Sequence, residues 1–189
     1  MVVCLLCSFS QIHFAQEAGE SIIGFKAGYN FTDYQGDAND VLSTSGYHAG
    51  VYISIRFNDR FGFQPEILYS QHQVSDILTA DSKATYGYAV LPLTMKVFVT
   101  RHLNIQVVPQ IGQLIGATMR FPGVPSINGK TFFETTDISF GGGIGIESKQ
   151  GFNASIRYFY GFSDTFNPVA GFRTSPKNIL QVSMAYTLL

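Results

Sequence analysis

The chain has 189 residues, and its 12 basic and 13 acidic side chains leave a formal net charge of −1. Charged residues make up only 13% of the sequence, whereas aromatic residues reach 14% and glycine occurs 19 times. This composition excludes a disordered chain, which is typically rich in charge and poor in aromatic residues. It also excludes a basic nucleic-acid-binding protein, because there is no Lys/Arg stripe to neutralise phosphates. The length suits a single domain.

An uncharged, apolar segment opens the sequence. The run from Val2 to Cys7 is shorter than the ~20 apolar residues of a membrane helix, but it fits the apolar core of a secretory signal peptide. We therefore expect residues 1–15 to be a signal peptide cleaved after Ala15, and residues 16–189 to form the mature domain. The alternative is a buried N-terminal strand or helix. Both cysteines, Cys4 and Cys7, lie in this segment, so we expect neither a disulfide nor thiol chemistry in the mature chain.

From Ile23 onward, apolar residues alternate with small or polar residues, the period that predicts β-strands. No amphipathic helix is predicted. Pro65 and Pro109 lie within two of the predicted strands, where each predicts a local bulge or an unpaired carbonyl. Eight segments show the alternation, and their apolar positions span 23–31, 47–57, 61–69, 91–99, 103–111, 138–146, 152–160 and 182–188.

The connections between these segments alternate in length. Short polar turns are predicted at 58–60, 100–102 and 148–150, whereas the remaining connections are long and cover about 33–45, 72–86, 113–136 and 162–178. An up-and-down barrel with turns at one rim and loops at the other would produce this alternation. An even number of strands also closes an antiparallel sheet and leaves no free edge.

The two faces of the predicted strands differ in composition. The apolar face carries no charged residue, whereas the opposite face carries many glycines and seven charges: Lys26, Arg56, Glu66, Lys96, Asp137, Glu147 and Arg157. Glycines suit the crowded interior of a small barrel, and an apolar face with Tyr and Phe near the strand ends suits contact with lipid. The sequence therefore predicts an all-β fold, an eight-stranded antiparallel up-and-down transmembrane β-barrel with its apolar face outward.

Several inward-facing polar residues form a candidate interior network. A buried carboxylate must be paired, because an isolated charge in a low dielectric is very costly. We interpret the network as a salt-bridged plug that fills the barrel; the alternatives are a gate or narrow ion path lined by the same groups and, least favoured, catalysis by Glu66. The candidate residues are Lys26, Arg56, Glu66, Lys96, Gln106, Gln110 and Arg157, with Gln64 as a further contributor.

No motif predicts a cofactor or a metal. The glycine run 141–145 lacks the G-K-[ST] ending of a phosphate loop, and we expect its inward glycines to make room for bulky neighbours such as Arg157. Some outer-membrane barrels act on lipid through a Ser–His pair near the membrane surface. Of His48, His72 and His102, only His72 lies near the predicted long-loop rim, beside Ser70 and Ser75. Proximity in sequence alone is a weak sign, so we do not expect an enzyme.

Several motifs together resemble the PorT-like porin family, small outer-membrane β-barrel proteins of Bacteroidetes-type bacteria with an OmpA-like barrel. The resemblance covers almost the whole predicted mature chain, and it implies an outer-membrane barrel but little about activity. The most specific motif is Phe61–Ser70, FGFQPEILYS; the others are Gly24–Asn30, Gly46–Val51, Tyr88–Leu93, Gly141–Gly145 and Arg157–Gly161.

The favoured interpretation is an exported, integral outer-membrane barrel that is non-enzymatic and acts structurally or through its long loops. Its expected partners are outer-membrane lipid and lipopolysaccharide, and a surface or envelope protein contacted through loops 113–136 and 162–178, with no cofactor and no nucleic acid. The same loops could instead form a packed cap over the barrel mouth. The first alternative is a small pore or a component of a protein-export machine. The second is a soluble periplasmic barrel that binds an apolar ligand.

Overall fold

The computed structural model describes residue 19 and residues 21–34, 44–75, 83–165 and 176–188. The predicted signal peptide, residues 1–15, lies outside the described residues. So do the central parts of three predicted long loops, at 35–43, 76–82 and 166–175. No helix in the described part of the chain is long and apolar enough to span a membrane.

Nine strands and one short 3₁₀-helix make up the described chain. Eight of the strands have 12 to 19 residues, which is enough to cross a bilayer at the tilt of a membrane barrel. The 3₁₀-helix is Lys130–Phe132. The strands are β1 (Ser21–Tyr34), β2 (Thr44–Arg56), β3 (Phe61–Ser75), β4 (Lys83–Phe98), β5 (Leu103–Phe121), β6 (Val124–Asn128), β7 (Thr136–Glu147), β8 (Phe152–Asp164) and β9 (Pro176–Thr187).

The eight long strands form a closed antiparallel barrel, which confirms the predicted fold class. Each long strand pairs with the next long strand along the chain, and β1 pairs with β9 to close the ring. The short strand β6 stands outside the ring and pairs only with the last residues of β5. Three tight turns lie at one rim, after β2, β4 and β7, and we call this the short-turn rim. The opposite rim is the long-loop rim.

The apolar face of the strands points outward, as the alternation predicts. Val51 of β2 is 42% exposed and Ile144 of β7 is 53% exposed, although both are aliphatic. Their neighbours in sequence point inward and are partly or fully covered, including Gly50 and Tyr52. A barrel with an exposed aliphatic belt and a polar interior has the polarity of a protein that is surrounded by lipid.

Of the two features expected at the prolines, a bulge is not found, but the pairing is interrupted there. The register of β3 against β2 is the same on both sides of Pro65, with no pairs between Tyr52–Glu66 and Ile55–Phe63. At Pro109 the ladder of β5 and β7 runs without a shift, whereas β4 and β5 have no pairs between Pro92–Gln110 and Met95–Val107. A register shift lies instead between Gly87 and Tyr88, where Ile115 is the extra residue on β5. Because one extra residue reverses the facing of all that follow, the side chains of β5 beyond Ile115 face inward at odd positions.

Strand structure extends further towards the long-loop rim than predicted. The sequence predicts one loop over residues 113–136. In the structure, β5 continues to Phe121, β6 returns beside it and the 3₁₀-helix follows. Likewise, β3 continues to Ser75 and β4 begins at Lys83, within the loop expected at 72–86. These extensions have an apolar inward side that is fully buried, with Val74, Ala84 and Met119 among its members. Burial of this side stabilises pairing beyond the lipid-facing belt.

Candidate functional site

The interior of the barrel is the candidate site, and it has three layers. The lower layer lies in the half near the short-turn rim and contains the ionised side chains around Glu66. The middle layer is a chain of His, Asn, Ser and Thr side chains. The upper layer, near the long-loop rim, is an apolar cap.

Glu66 of β3 is the centre of the lower layer. Its Oε2 lies 2.8 Å from Nζ of Lys26, and its Oε1 lies 2.7 Å from Nη2 of Arg157. Gln64 and Thr94 also donate hydrogen bonds to Oε1, at 2.8 and 3.0 Å. All three charged side chains are almost completely buried. Two cations and two neutral donors thus compensate the cost of removing this carboxylate from water.

Arg157 links opposite walls of the barrel. From β8 it reaches Glu66 on β3, and its Nε donates to Oε1 of Gln106 on β5 at 2.6 Å. The chain of hydrogen bonds continues from Gln106 to Asn104 at 2.7 Å and from Asn104 to Glu147 at 3.1 Å. Side chains of four strands therefore meet across the lower lumen.

A second ion pair completes the lower layer. Nζ of Lys96 on β4 lies 2.6 Å from Oε1 of Glu147 on β7, close to the short-turn rim. Beside these groups is a polar cavity of about 20 Å³, lined by Lys26, Lys96 and Arg157 among others. A space of this size holds roughly one water molecule. This cavity is therefore too small for a hydrated ion or a solute.

Glycines on β7 make room for these large side chains. Gly143 is the register partner of Arg157, and a Cβ atom on it would lie 2.9 Å from Cγ of that arginine. A Cβ atom on Gly145 would lie 2.7 Å from Oδ1 of Asn104. Among the inward glycines of the run, Gly143 thus leaves room for Arg157, Gly145 for Gln106 and Asn104, and Gly141 for Phe159.

The middle layer is a chain of hydrogen bonds among Asn, Ser, Thr and His side chains. Nδ2 of Asn30 donates to Oγ of Ser70 at 2.9 Å, which leaves Oδ1 of Asn30 as the acceptor for Nδ1 of His48 at 2.8 Å. Nε2 of His48 is hydrogen-bonded to Oγ of Ser183 at 2.9 Å. Oγ of Ser70 in turn is hydrogen-bonded to Nε2 of His72 at 3.0 Å. Asn30 therefore connects both imidazoles, His48 directly and His72 through Ser70.

The Ser70–His72 pair lacks the environment of a hydrolase. Its 3.0 Å contact is the length expected of a nucleophile and its base, but Nδ1 of His72 faces Oγ1 of Thr32 at 3.0 Å rather than a carboxylate. Both side chains are nearly inaccessible, at 3% and 2% exposed, and they face the lumen. Lipid on the outer surface of the barrel cannot reach them.

The apolar cap closes the end of the lumen near the long-loop rim. Phe133, which follows the 3₁₀-helix, is 1% exposed and packs on Tyr86 with ring centroids 4.6 Å apart. The hydroxyl of Tyr88 donates to the carbonyl of Glu134 at 2.7 Å. Just below, Lys177 pairs with Asp137 at 3.1 Å and places Nζ 4.7 Å from the ring of Tyr88. The connection between β5 and β7 is thus folded into the barrel mouth.

Five of the seven candidate residues meet in the lower layer: Lys26, Glu66, Lys96, Gln106 and Arg157. Gln110 lies apart, where its amide donates to Oγ of Ser139 at 3.2 Å. Arg56 also lies apart, at the short-turn rim, where it donates to the carbonyls of Asn58 and Asp59 and its guanidinium carbon lies 4.0 Å from the ring centroid of Phe98.

Sequence reasoning missed Asn104 and Thr94 in the lower layer and Asn30 in the middle layer. All three occupy inward positions of predicted strands, so alternation alone could have placed them in the lumen. Among the described residues, no group of three or more His, Cys, Asp and Glu side chains could hold a metal ion.

Comparisons with known proteins agree with this architecture. The sequence matches the family model described as "Outer membrane protein beta-barrel domain" over residues 9–167. No curated protein matches the chain.

One similar solved structure is Ail, the attachment invasion locus protein of Yersinia pestis, in complex with the heparin analogue sucrose octasulfate. It matches with a TM-score of 0.55 and 12% identity, and the match covers 89% of this chain and 99% of that one. Neisserial surface protein A (NspA) matches with a TM-score of 0.57 and 13% identity, covering 88% and 98%. At such identities the likeness concerns the fold alone.

Proposed function

The chain belongs to the family of outer membrane protein β-barrel domains, and from that premise we propose that it is a closed, non-enzymatic barrel that works through its outer surface and its long-loop rim. It is an integral protein of the bacterial outer membrane. The observation that carries the proposal is the contact of Arg157 with Glu66 and Gln106 across the lumen. The cavity beside it holds roughly one water molecule, and the apolar cap closes the other end.

Conductance in planar lipid bilayers tests the closed state. The full chain, folded into the bilayer, is expected to give no current steps. The double variant Glu66→Ala/Arg157→Ala removes the contact across the lumen and two opposite charges together. Because it leaves the buried Lys26 without its carboxylate partner, folding of the variant is first verified by heat-modifiable migration. We expect it to give small steps, because the remaining side chains no longer span the lower lumen.

The variant Arg101→Gln, in the turn after β4, is the matched control and should stay silent. Current steps from the wild-type chain would overturn the proposal and favour the small-pore alternative. A silent double variant that still folds would show that Arg157 and Glu66 are not what closes the lumen, and would overturn the role that we assign to their contact.

The absence of enzymatic activity is part of the proposal. It is supported by the position of the Ser70–His72 pair inside the packed lumen and by the hydrogen bond of His72 to Thr32 in place of a carboxylate. The second sequence alternative, a soluble barrel for an apolar ligand, needs an apolar cavity. The described lower and middle lumen is lined by polar side chains instead.

The remaining parts of the proposal concern export, family and partners. We propose that residues 1–15 are a signal peptide, on the support of the short apolar run Val2–Cys7. We propose PorT-like membership on the support of the Phe61–Ser70 motif. For partners we propose lipopolysaccharide at the outer surface and an envelope or surface protein at loops 113–136 and 162–178. The sulfated sugar in the Ail structure supports the idea that a small barrel can present a site for an anionic glycan.

A further inference from the structure

Two cations face each other on the outer surface of the barrel near the long-loop rim. Lys83 on β4 is the register partner of Arg120 on β5, and both side chains are exposed. Neither forms an ion pair with an acidic side chain among the described residues. Like charges directly opposite each other on paired strands repel. An anion bound between them would relieve this repulsion.

The rows of residues beneath this pair become more polar towards the long-loop rim. On the outward face of β4 and β5, the rows from Val97–Ile105 to Leu91–Ile111 are apolar, Ala89–Gln113 is the first with a polar side chain, Gly87–Gly116 follows, and Thr85–Thr118 lies next to the cations. Tyr69 of β3 lies across Gly87, since a Cβ atom there would be 2.6 Å from the tyrosine hydroxyl.

Apolar rows are thus followed by rows that carry amide, small, aromatic and hydroxyl-bearing residues, which is the direction expected from the hydrocarbon of a membrane to its headgroups. The cation pair is four residues beyond Gly87, or about 13 Å along the strand. It therefore lies at the level of lipid headgroups or just above them.

The threonine row adds neutral hydrogen-bond donors below the two cations. Thr85 and Thr118 are register partners of each other, Thr85 also pairs with Gln73 of β3, and Thr118 pairs with Asn128 of β6. Gln73, Thr118 and Asn128 are exposed and Thr85 is half-buried. A strip of hydroxyl and amide groups with two cations above it suits a phosphorylated sugar, which offers both charge and polar acceptors.

We propose that Lys83 and Arg120, with Thr85 and Thr118, form a binding site for a phosphate group of lipopolysaccharide in the outer leaflet. The inference rests on the proposed function, because it requires the long-loop rim to face the cell exterior, as the longer loops of such barrels do. It names which part of the outer surface contacts lipopolysaccharide and which chemical group it recognises. The lipid would then be held at one side of the barrel, along β4 and β5.

The test uses the full chain folded into phosphatidylcholine vesicles with increasing amounts of diphosphoryl lipid A. The readout is the temperature at which the fast-migrating, folded band is lost on an unboiled gel. Diphosphoryl lipid A should raise this temperature for the wild-type chain by binding the folded state. The double variant Lys83→Gln/Arg120→Gln should need about tenfold more lipid A for the same rise, since two charged contacts are lost.

The control variant Arg60→Gln/Arg101→Gln removes the same charge from the opposite rim and should respond like the wild type. An undiminished response of the Lys83→Gln/Arg120→Gln variant would overturn the inference, as would an equal effect of dephosphorylated lipid A. If inorganic phosphate alone reproduced the rise, the site would bind free phosphate rather than the lipid, and the lipid assignment would be wrong. These outcomes are independent of conductance, so failure of the closed-barrel proposal would be recognised separately.

Discussion

Two consecutive glycines of β7 have opposite surroundings, although both lie in extended strand. Gly143 faces the lumen, where an added Cβ would clash with the carbonyl oxygen of Ile156 and would lie 2.9 Å from both Cα and Cγ of Arg157. Gly142 faces outward, and the nearest atom to its added Cβ would be 3.6 Å away. The pair thus allows one methyl group to be tested on each face of the same strand.

We predict that Gly143→Ala lowers the free energy of unfolding by about 1–3 kcal/mol, because the methyl group would press on the carbonyl of Ile156 and on Arg157 in the neighbouring strand. Gly142→Ala, which meets only ordinary contact distances, should change it by less than about 0.5 kcal/mol. Denaturant unfolding in lipid vesicles measures both. Equal effects of the two variants would contradict the close packing that we assign to Arg157.

At the scale of single residues, the sequence could predict which side chains share the lumen but not which of them touch. Alternation places Glu66 and Arg157 on the inward face of their strands. Their contact joins β3 to β8 across the barrel, and it depends on strand tilt and stagger, which no local pattern contains. The isolation of Gln110 from the lower layer has the same origin.

The position of each strand in the membrane depends on the apolar residues of its outward face. Val51 has Phe25 and Ile67 as register partners, and Ile144 has Ile105 and Ile156. Both residues are therefore surrounded by apolar side chains. We predict that Val51→Arg and Ile144→Arg each cost about 2–4 kcal/mol near the bilayer midplane.

Folding into phosphatidylcholine vesicles, followed by reversible denaturant unfolding, measures this cost. The conservative variant Val51→Leu is the matched control and should fold with nearly wild-type stability. If the barrel tolerated both arginines as well as it tolerates leucine, the outward face could not be in contact with hydrocarbon.

Strand ends were harder to predict than strand cores. The extra residue Ile115 reverses the alternation on β5, so that Leu114 and Met119 both face inward. A prediction that assumes strict alternation therefore assigns the wrong face to the residues of β5 after Ile115. The inward packing of Phe133 was beyond prediction for another reason: it requires the extended ends of β4 and β5 to exist before the connection can fold against them.

For the whole molecule, closure of the ring predicts heat-modifiable migration. A closed, fully hydrogen-bonded barrel resists dodecyl sulfate until it is heated, because opening it exposes two strand edges at once. The unboiled chain in the outer-membrane fraction should therefore run faster than the boiled one. A chain truncated before Pro176 lacks β9 and should show only the slower band. Recovery in a soluble fraction without any heat shift would contradict the membrane barrel.

The pairing of β1 with β9 also determines when the barrel can close during biogenesis. Eleven register pairs join these strands, yet β1 is the first and β9 the last of the described strands. Because synthesis and secretion run from the N-terminus, β1 must wait for its second partner until all the other long strands have crossed the inner membrane. Until then the aliphatic belt has no bilayer around it. The long strands must therefore be kept from aggregating in the periplasm until β9 arrives, and a lesion in β9 would leave an unclosed barrel exposed to envelope proteases.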